Sequence, residues 1–513
     1  MKREMKKSIL ILFLFTAGIF PAKSQEMFNY DSLSVFRVIS LGLQTNFDIR
    51  LKRHLVGESM GQLTTTKGAF NPQMSLSAYG FYGTDPTVTF QDSYYLMGQL
   101  LVPTKIGMKF YTGFKLSTET EIISGVPNFF PSTNMAVNES GMWAGVTMPL
   151  LRDLGKNNTN NVTYLASLMM NKAQNVSFSD EICLFIKNTL TYYYIAYQKV
   201  KLFRILSDAE KDAKDYLRDI ESMIADEQLA KSEVYRAKAY EYNINQQYAE
   251  AKNMIANSMY DLITSIGMKG NMVPKKVPQF HDSLPDPATF PWKQYAQWVF
   301  KNADTLVHNA HYYKSQELAT SAAQIQMKGA KYNKMNELNL ELRYMYFGST
   351  AYQPFSDFNQ SFTSGSPGSS VNVTLSYKIP FKNEERKGDY LTKLSAYDLN
   401  KTQLEKIQFD AKMQVYQLLS DLGNLIPLYI NQVELSVLEK KTYDNEVHKM
   451  KMGASTQINV INTYMDYNTS LLNVENGRQA ILTKIILLKY LIGDFPTSTD
   501  QMLKYKLWDL STK

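Results

Sequence analysis

The sequence predicts an internally duplicated α+β chain in which long coiled-coil helical hairpins carry about four amphipathic membrane β-strands. Three observations predict it. Long segments space their apolar residues by alternating threes and fours, the 3.5-residue period of a coiled-coil seam. Two segments alternate apolar and polar residues with period two, the signature of a strand with two unlike faces. The order helix, strands, long helix, reversal, helix runs twice along the 513 residues.

Residues 1–24 are expected to be a secretory signal. Lys2, Arg3, Lys6 and Lys7 precede an apolar run of 12 residues, Ile9 to Phe20, too short to span a bilayer as a helix. Ala22-Lys23-Ser24 sets small residues at −3 and −1, so cleavage is expected before Gln25. The formal charge of +7 falls to about +3 without this segment, and no basic block remains to hold nucleic acid. A single Cys excludes an internal disulfide framework. No later stretch reaches the roughly 18 apolar residues of a membrane helix, so any membrane contact must come from strands.

The first repeat, residues 25–270, reads as a helix (Ser32 to Lys67), strands (Gln73 to Leu150), a long helix (Asn161 to Met223) and a returning helix (Ser232 to Ile266). Residues 271–292 form a linker in which Pro274, Pro278, Pro285, Pro287 and Pro291 forbid a helix. The second repeat, 293–495, gives a helix (Lys293 to Lys331), strands (Met335 to Pro380), a long helix (Asp389 to Met450), a reversal at Gly453 and a helix (Ile458 to Ile492). Pro427 is expected to kink or split the long helix. Residues 496–513 are a C-terminal tail.

In the strand Asn336 to Phe347, Leu338, Leu340, Leu342, Tyr344 and Tyr346 share one face, and Asn339, Glu341 and Arg343 the other. Val371, Val373, Leu375, Tyr377 and Ile379 likewise oppose Asn372, Thr374, Ser376 and Lys378. Such strands fit a membrane barrel with an aqueous lumen, lined here by Asn339, Glu341 and Arg343. They fit equally a soluble sheet with one wet face. The export signal and the flanking aromatics favour the barrel: Tyr79, Phe81, Tyr82, Tyr346, Phe347, Phe355, Phe358 and Phe362 resemble a membrane-interface girdle. Residues 84–140 are long for one hairpin. Within them, Gly98 to Lys115 alternates and reads either as added strand or as an extracellular cap.

The seams are Ile182, Ile186, Leu190, Tyr193, Tyr197, Val200; then Leu404, Ile407, Ala411, Val415, Leu418, Leu422, Leu425; and, in the last helix, Val460, Tyr464, Tyr467, Leu471, Val474, Arg478, Ile481, Ile485, Leu488, Ile492. About four strands per chain cannot close a barrel, whose smallest single-chain form has about eight. Lipid tolerates no open edge. Three copies would supply twelve strands.

At this point the chain resembles the TolC-like outer-membrane efflux proteins over nearly its whole mature length. Gly68-Ala69-Phe70-Asn71-Pro72-Gln73-Met74-Ser75-Leu76 is similar to that family's helix-to-strand turn. Met148-Pro149-Leu150-Leu151-Arg152-Asp153-Leu154-Gly155 resembles its strand-to-helix turn, and Ile379-Pro380-Phe381 takes the same place in the second repeat. Met452 to Asn462 resembles the periplasmic tip, matched in the first repeat by Glu227 to Ala237, with Glu227 at the Gly position. The resemblance implies a homotrimer in the outer membrane of a Gram-negative cell, with a twelve-stranded barrel and helices extending into the periplasm. It implies partners too: outer-membrane lipid, a periplasmic adaptor of the membrane-fusion type and an inner-membrane pump, for tripartite efflux or type I secretion. Gly453, Ser455, Thr456, Gln457, Asn459, Asn462 and Glu227 would form the aperture and the adaptor-docking tip. Asn459 and Asn462 stand where the family often carries acidic residues, so hydrogen-bonded amides are expected there instead of a carboxylate ring.

Nothing points to catalysis or to a cofactor. No HExxH, GxSxG or P-loop occurs. His308 and His311 lie three apart on an expected helix, but no carboxylate at ligand spacing completes a metal site, and none is expected. Cys183 and the Tyr192-Tyr193-Tyr194 run read as helix packing. The competing class is a periplasmic coiled-coil structural protein with a soluble sheet, and the two differ in which solvent the alternating strands meet.

Overall fold

The computed structural model describes residues 33–85, 88–123, 133–227, 230–268, 276–351 and 366–497. The expected signal at 1–24, Pro274, the aromatics Phe355, Phe358 and Phe362, and the tail beyond residue 497 lie outside the described residues. In chain order the elements are α1 (Val35–Thr45), α2 (Phe47–Gly68), β1 (Gln73–Asp85), β2 (Val88–Pro103), β3 (Lys109–Ile123) and β4 (Thr133–Pro149). Then come α3 (Thr159–Ala225), α4 (Glu233–Ile266), α5 (Trp292–Asn309), α6 (His311–Asn333), β5 (Glu337–Ala351), β6 (Ser366–Lys378), α7 (Glu384–Lys451) and α8 (Gln457–Leu491). Among the described residues no helix is long and apolar enough to cross a membrane.

The helices form where the seams predict them. α3 and α7 run 67 and 68 residues, roughly 100 Å each at 1.5 Å per residue. Two expectations are revised. Of the kink or split expected at Pro427, the split does not occur, and α7 continues from Glu384 to Lys451. The carbonyl that a proline orphans belongs to the residue four back, here Gly423, which has no side chain to crowd the ring and is exposed to water. The helix expected over Lys293 to Lys331 is instead two, broken at Ala310, whose extended ψ of 146 ends one and starts the next. His308 and His311 therefore sit on different helices, and the His308 ring packs edge-on to Tyr313 at 4.6 Å.

The contacts divide the chain into two units, each drawn from separated stretches. The first comprises residues 1–50, 181–306 and 413–513. Its core buries Ile186, Leu190, Tyr193 and Val200 of α3, Val415, Leu418, Leu422 and Tyr429 of α7, and Ile481, Ile485 and Leu488 of α8. Each such side chain withdrawn from water stabilises by about 2 kcal/mol. The seam of α7 moves from the expected Leu425 to Ile426 and Tyr429. Tyr193 packs edge-on against Phe280 at 5.1 Å and donates its hydroxyl to Asp282 at 2.7 Å, a packing role as its sequence neighbourhood predicts. Cys183 is buried.

The second unit comprises residues 51–180 and 307–412. Here α6 lies close to α3, because Gly329 has no Cβ: one built there would stand 2.5 Å from Val162. The same unit holds one antiparallel sheet in the order β1-β2-β3-β4-β5-β6. The chain thus supplies six strands to this sheet, not the four expected. The two additional ones are β2 and β3, so the segment left open between strand and cap is strand.

Six direct cross-strand pairs set an aromatic residue opposite a glycine, and in four of them the ring crowds the glycine: Tyr111 with Gly145, Trp143 with Gly113, Phe114 with Gly98 and Phe347 with Gly368. A Cβ at any of these four glycines would lie within 3 Å of the facing ring. Glycine normally weakens a strand, but here it leaves the space in which a ring lies flat across the neighbour.

Candidate functional site

Three features of the fold carry the functional argument: the two faces of the sheet, the turn joining β4 to α3, and the reversals at the ends of the helical hairpins.

Opposite residues of an antiparallel ladder share a face, so the register sorts the side chains. One face carries Ser75, Gln99, Tyr111, Thr147, Glu341 and Asn372 on successive strands. The sequence-predicted Asn339, Glu341 and Arg343 all lie on this face and are half-buried. Tyr111 donates its hydroxyl to Glu341, and Lys115 pairs with Glu139 at 3.0 Å. The other face carries Leu76, Leu100, Phe110, Met142, Tyr344 and Leu375, all exposed, Leu375 to 65%. Among the described residues the strands' extensive contacts are with one another. On the inner strands β2 to β5 the polar face is thus the more sheltered and the apolar face the more open, the reverse of a sheet folded for water, while on the edge strands β1 and β6 both faces are exposed.

The β4–α3 turn brings its motif residues together. Pro149 ends the ladder opposite Asn339 and is buried. Asp153 adopts φ 65, and its carboxylate accepts from the backbone N–H and the hydroxyl of Thr159, which satisfies the first turn of α3. Arg152 bridges Asp153 at 3.2 Å and Glu337, at the start of β5, at 3.3 Å. Burial alone would raise the Asp153 carboxyl, but the hydrogen bonds from Thr159 and Arg152 hold it below the usual carboxylate value. Gly155, at φ 69, donates its N–H to the Ile106 carbonyl in the β2–β3 turn at 2.9 Å. In that turn Gly107 has φ 89, and a Cβ there would meet the Asp153 carbonyl at 2.0 Å. Pro72 precedes β1 and is exposed. After Pro380, Asn383 and Arg386 donate to the carbonyls of Lys334 and Met335, so the second repeat ties its strand-to-helix turn with amide and guanidinium in place of a carboxylate cap.

The chain reverses at Gly453 and at Glu227. α7 ends with Gly453 at φ 72, its N–H on the Met450 carbonyl and that of Ala454 on the Lys449 carbonyl, the Schellman arrangement. α3 ends with Glu227 at φ 55, the position assigned to it as the counterpart of Gly453. A left-handed conformation costs a residue with a Cβ about 1–2 kcal/mol, and glycine's extra freedom in the unfolded chain offsets part of that. Glu227→Gly is therefore expected to stabilise by about 1 kcal/mol, read as a raised thermal midpoint. An unchanged or lowered midpoint would show that the Glu227 side chain contributes more than its backbone costs.

Beyond Gly453, Ser455 donates to Glu446 at 2.6 Å and Lys449 pairs with the same carboxylate at 3.0 Å. The Ser455 hydrogen bond, then that of Lys449, holds the Glu446 carboxyl below its usual value. A depressed acid contributes in full above its unfolded pKa and loses that contribution as the pH falls through its folded one. A spin label at Ala454→Cys is expected to gain mobility as the pH drops below the carboxylate range, and in a Glu446→Ala background to be mobile at every pH. Equal mobility across the titration would refute the tie. Asn459 and Asn462 are exposed, and the Asn459 amide reaches Ser455 at 3.5 Å.

One pair was not anticipated as a contact. Tyr464 of α8 donates its hydroxyl to Asp212 of α3, beside a cluster of Ala209, Ala213, Tyr240 and Ile244. Burial, then this hydrogen bond, raises the Tyr464 phenol. The partners are 252 residues apart, and no short motif announces them. Among the described residues, no three His, Cys, Asp or Glu side chains gather as a metal site would require.

No family model and no curated protein matches the chain. Solved structures do. The outer membrane channel CmeC of Campylobacter jejuni aligns over 93% of this chain and 89% of its own at 14% identity, with a TM-score of 0.62. CusC, described for its transmembrane channel formation, aligns over 93% and 95% at 13% identity and 0.62. The outer membrane protein VceC of Vibrio cholerae aligns over 90% and 96% at 10% identity and 0.61. Identities this low speak to architecture. The chain has the TolC-like outer-membrane channel fold.

Proposed function

We propose that this protein is the outer-membrane exit duct of a tripartite efflux or type I secretion system. It is a passive trimeric conduit, exported with loss of residues 1–24 and built of two repeats, 25–270 and 293–495, joined by the 271–292 linker. The observation that carries this reading is the inverted sheet: on the inner strands β2 to β5 apolar side chains are open to the surroundings and polar ones are more sheltered on the opposite face. Hydrocarbon is the solvent that suits such a face, and the polar side, with Asn339, Glu341 and Arg343, then borders water. The soluble-sheet alternative requires a cover for the apolar side, and among the described residues Leu76, Met142, Tyr344 and Leu375 stand exposed.

The outer edges of β1 and β6 pair with no described strand, and unpaired backbone groups in lipid cost several kcal/mol each. Further copies of the chain satisfy them by joining β6 to the next β1. The reversals at Glu227 and Gly453, with Ser455, Thr456, Gln457, Asn459 and Asn462, form the end that meets a periplasmic adaptor, behind which an inner-membrane pump supplies the energy. The chain itself does no chemistry.

Fractionation followed by gel electrophoresis without boiling tests the conduit. A heat-labile oligomer in the outer membrane is expected, and a monomer free in the periplasm would end the proposal. Gly453→Pro tests the tip. It removes the N–H that closes the Schellman turn and forbids the positive φ. Export is expected to fail while the oligomer still assembles; full export in this variant would displace the docking assignment.

A further inference from the structure

The additional hairpin has a consequence for the width of the exit, resting on the conduit reading above. We infer that β2 and β3 span the membrane as full staves of the barrel, so that three copies of a six-stranded chain close an eighteen-stranded wall whose bore passes bulky hydrated solutes.

Three observations place the hairpin in the wall. It pairs along its whole length with the strands on either side, from Gln73 opposite Leu101 to Phe81 opposite Ser93, and from Lys109 opposite Thr147 to Ile123 opposite Thr133. A cap resting above a four-stranded chain would instead leave β1 free to pair with β4. Its turn, Thr104 to Met108, lies at the helix end of the sheet, where Gly155 donates to Ile106 and Gly107 abuts the Asp153 carbonyl, so the hairpin reaches from one end of the sheet to the other. Its apolar face is continuous with that of its neighbours. One row of the ladder runs Val102, Phe110, Val146, Leu342, Val373, apolar on every strand it crosses, and the next begins Met74, Leu100. An extramembrane hairpin has no use for a band aligned with Leu342 and Val373.

Barrel diameter grows almost linearly with strand number. With strands about 4.8 Å apart and tilted about 40°, eighteen of them give roughly 36 Å between backbones, against roughly 24 Å for twelve. Side chains on both walls leave a bore of about 25 Å in the first case and little more than half of that in the second. In the eighteen-stranded exit the sheet does not restrict cargo size, and any size limit falls to the helical part.

The test uses the full-length chain with single cysteines carrying an environment-sensitive fluorophore, in vesicles of ordinary or brominated lipid; the native Cys183 is buried. Labels at Leu100→Cys on β2 and Phe110→Cys on β3 are expected to be quenched as strongly as one at Leu375→Cys on β6, while a label at Gln99→Cys is not. Electron microscopy of the oligomer is expected to count eighteen strands. Quenching at Leu375→Cys alone, with a twelve-stranded wall, would overturn the inference and leave the conduit standing. No quenching at any of the sites would overturn both.

Discussion

Gly145→Leu is expected to abolish the oligomer proposed above, and Gly145→Ala to weaken it severely. A Cβ at this position would stand 2.5 Å from the Tyr111 ring and hydroxyl and 2.7 Å from the backbone carbonyl of Leu342. The ring cannot swing clear without giving up its hydrogen bond to Glu341 on the second strand over. The carbonyl belongs to the ladder and cannot move at all without breaking the β4–β5 pairing. Overpacking of this kind costs about 1–3 kcal/mol and more when backbone must shift. Tyr111→Ala in the Gly145→Ala background removes the clash with the ring but not with the carbonyl, so partial rescue is expected. The amount of heat-labile oligomer on unboiled gels reads all three variants. Gly423→Ala, at an exposed helical site with nothing near its Cβ, is the control expected to assemble normally. Wild-type levels of oligomer from Gly145→Leu would show that β4 and β5 do not approach as described.

The glycine seats also explain why the sheet was only partly legible in the sequence. β5 and β6 could be read because Leu338 to Tyr346 and Val371 to Ile379 alternate without interruption. β2 and β3 break that rule on both faces. Gly98 interrupts the apolar side where Phe114 needs room, Thr112 adds a polar residue there, and Leu101 and Met97 stand on the polar side. Period-two counting penalises each of these, although the cross-strand partner makes sense of Gly98. The long helices were readable to within a few residues because a seam repeated over many turns averages out local exceptions. Even Pro427, a strong local breaker, is overridden where its orphaned carbonyl meets water. Glu227 was recognisable only through its counterpart Gly453, since glutamate has no intrinsic preference for the left-handed region. The turn at Asp153 was marked by Pro149 and Gly155, but the pairing of Arg152 with Glu337 crosses the repeats and leaves no trace in either one alone.

Tyr464→Phe should loosen the end of the helical hairpins and, in the conduit proposed above, raise conductance. The substitution removes one hydroxyl and keeps the ring, so its packing against Tyr443 at 5.0 Å and against the Tyr240 cluster persists. What is lost is the hydrogen bond that ties α8 to α3 through Asp212. Hydrogen bonds to a charged group contribute about 1.5–3 kcal/mol. If the hairpin ends close the duct at rest, losing this tie multiplies the open population roughly ten- to hundredfold until the open form dominates. Asp212→Asn should open the channel less than Tyr464→Phe, because an amide oxygen still accepts from the phenol. The double variant should equal Tyr464→Phe alone, since both substitutions act on one bond. Planar-bilayer recordings of the three proteins decide the matter. Additive effects would mean that the two residues act separately. Unchanged conductance in all three would mean that the tie lies off the gate, and closure would then fall to the Ser455–Glu446–Lys449 group at the reversal.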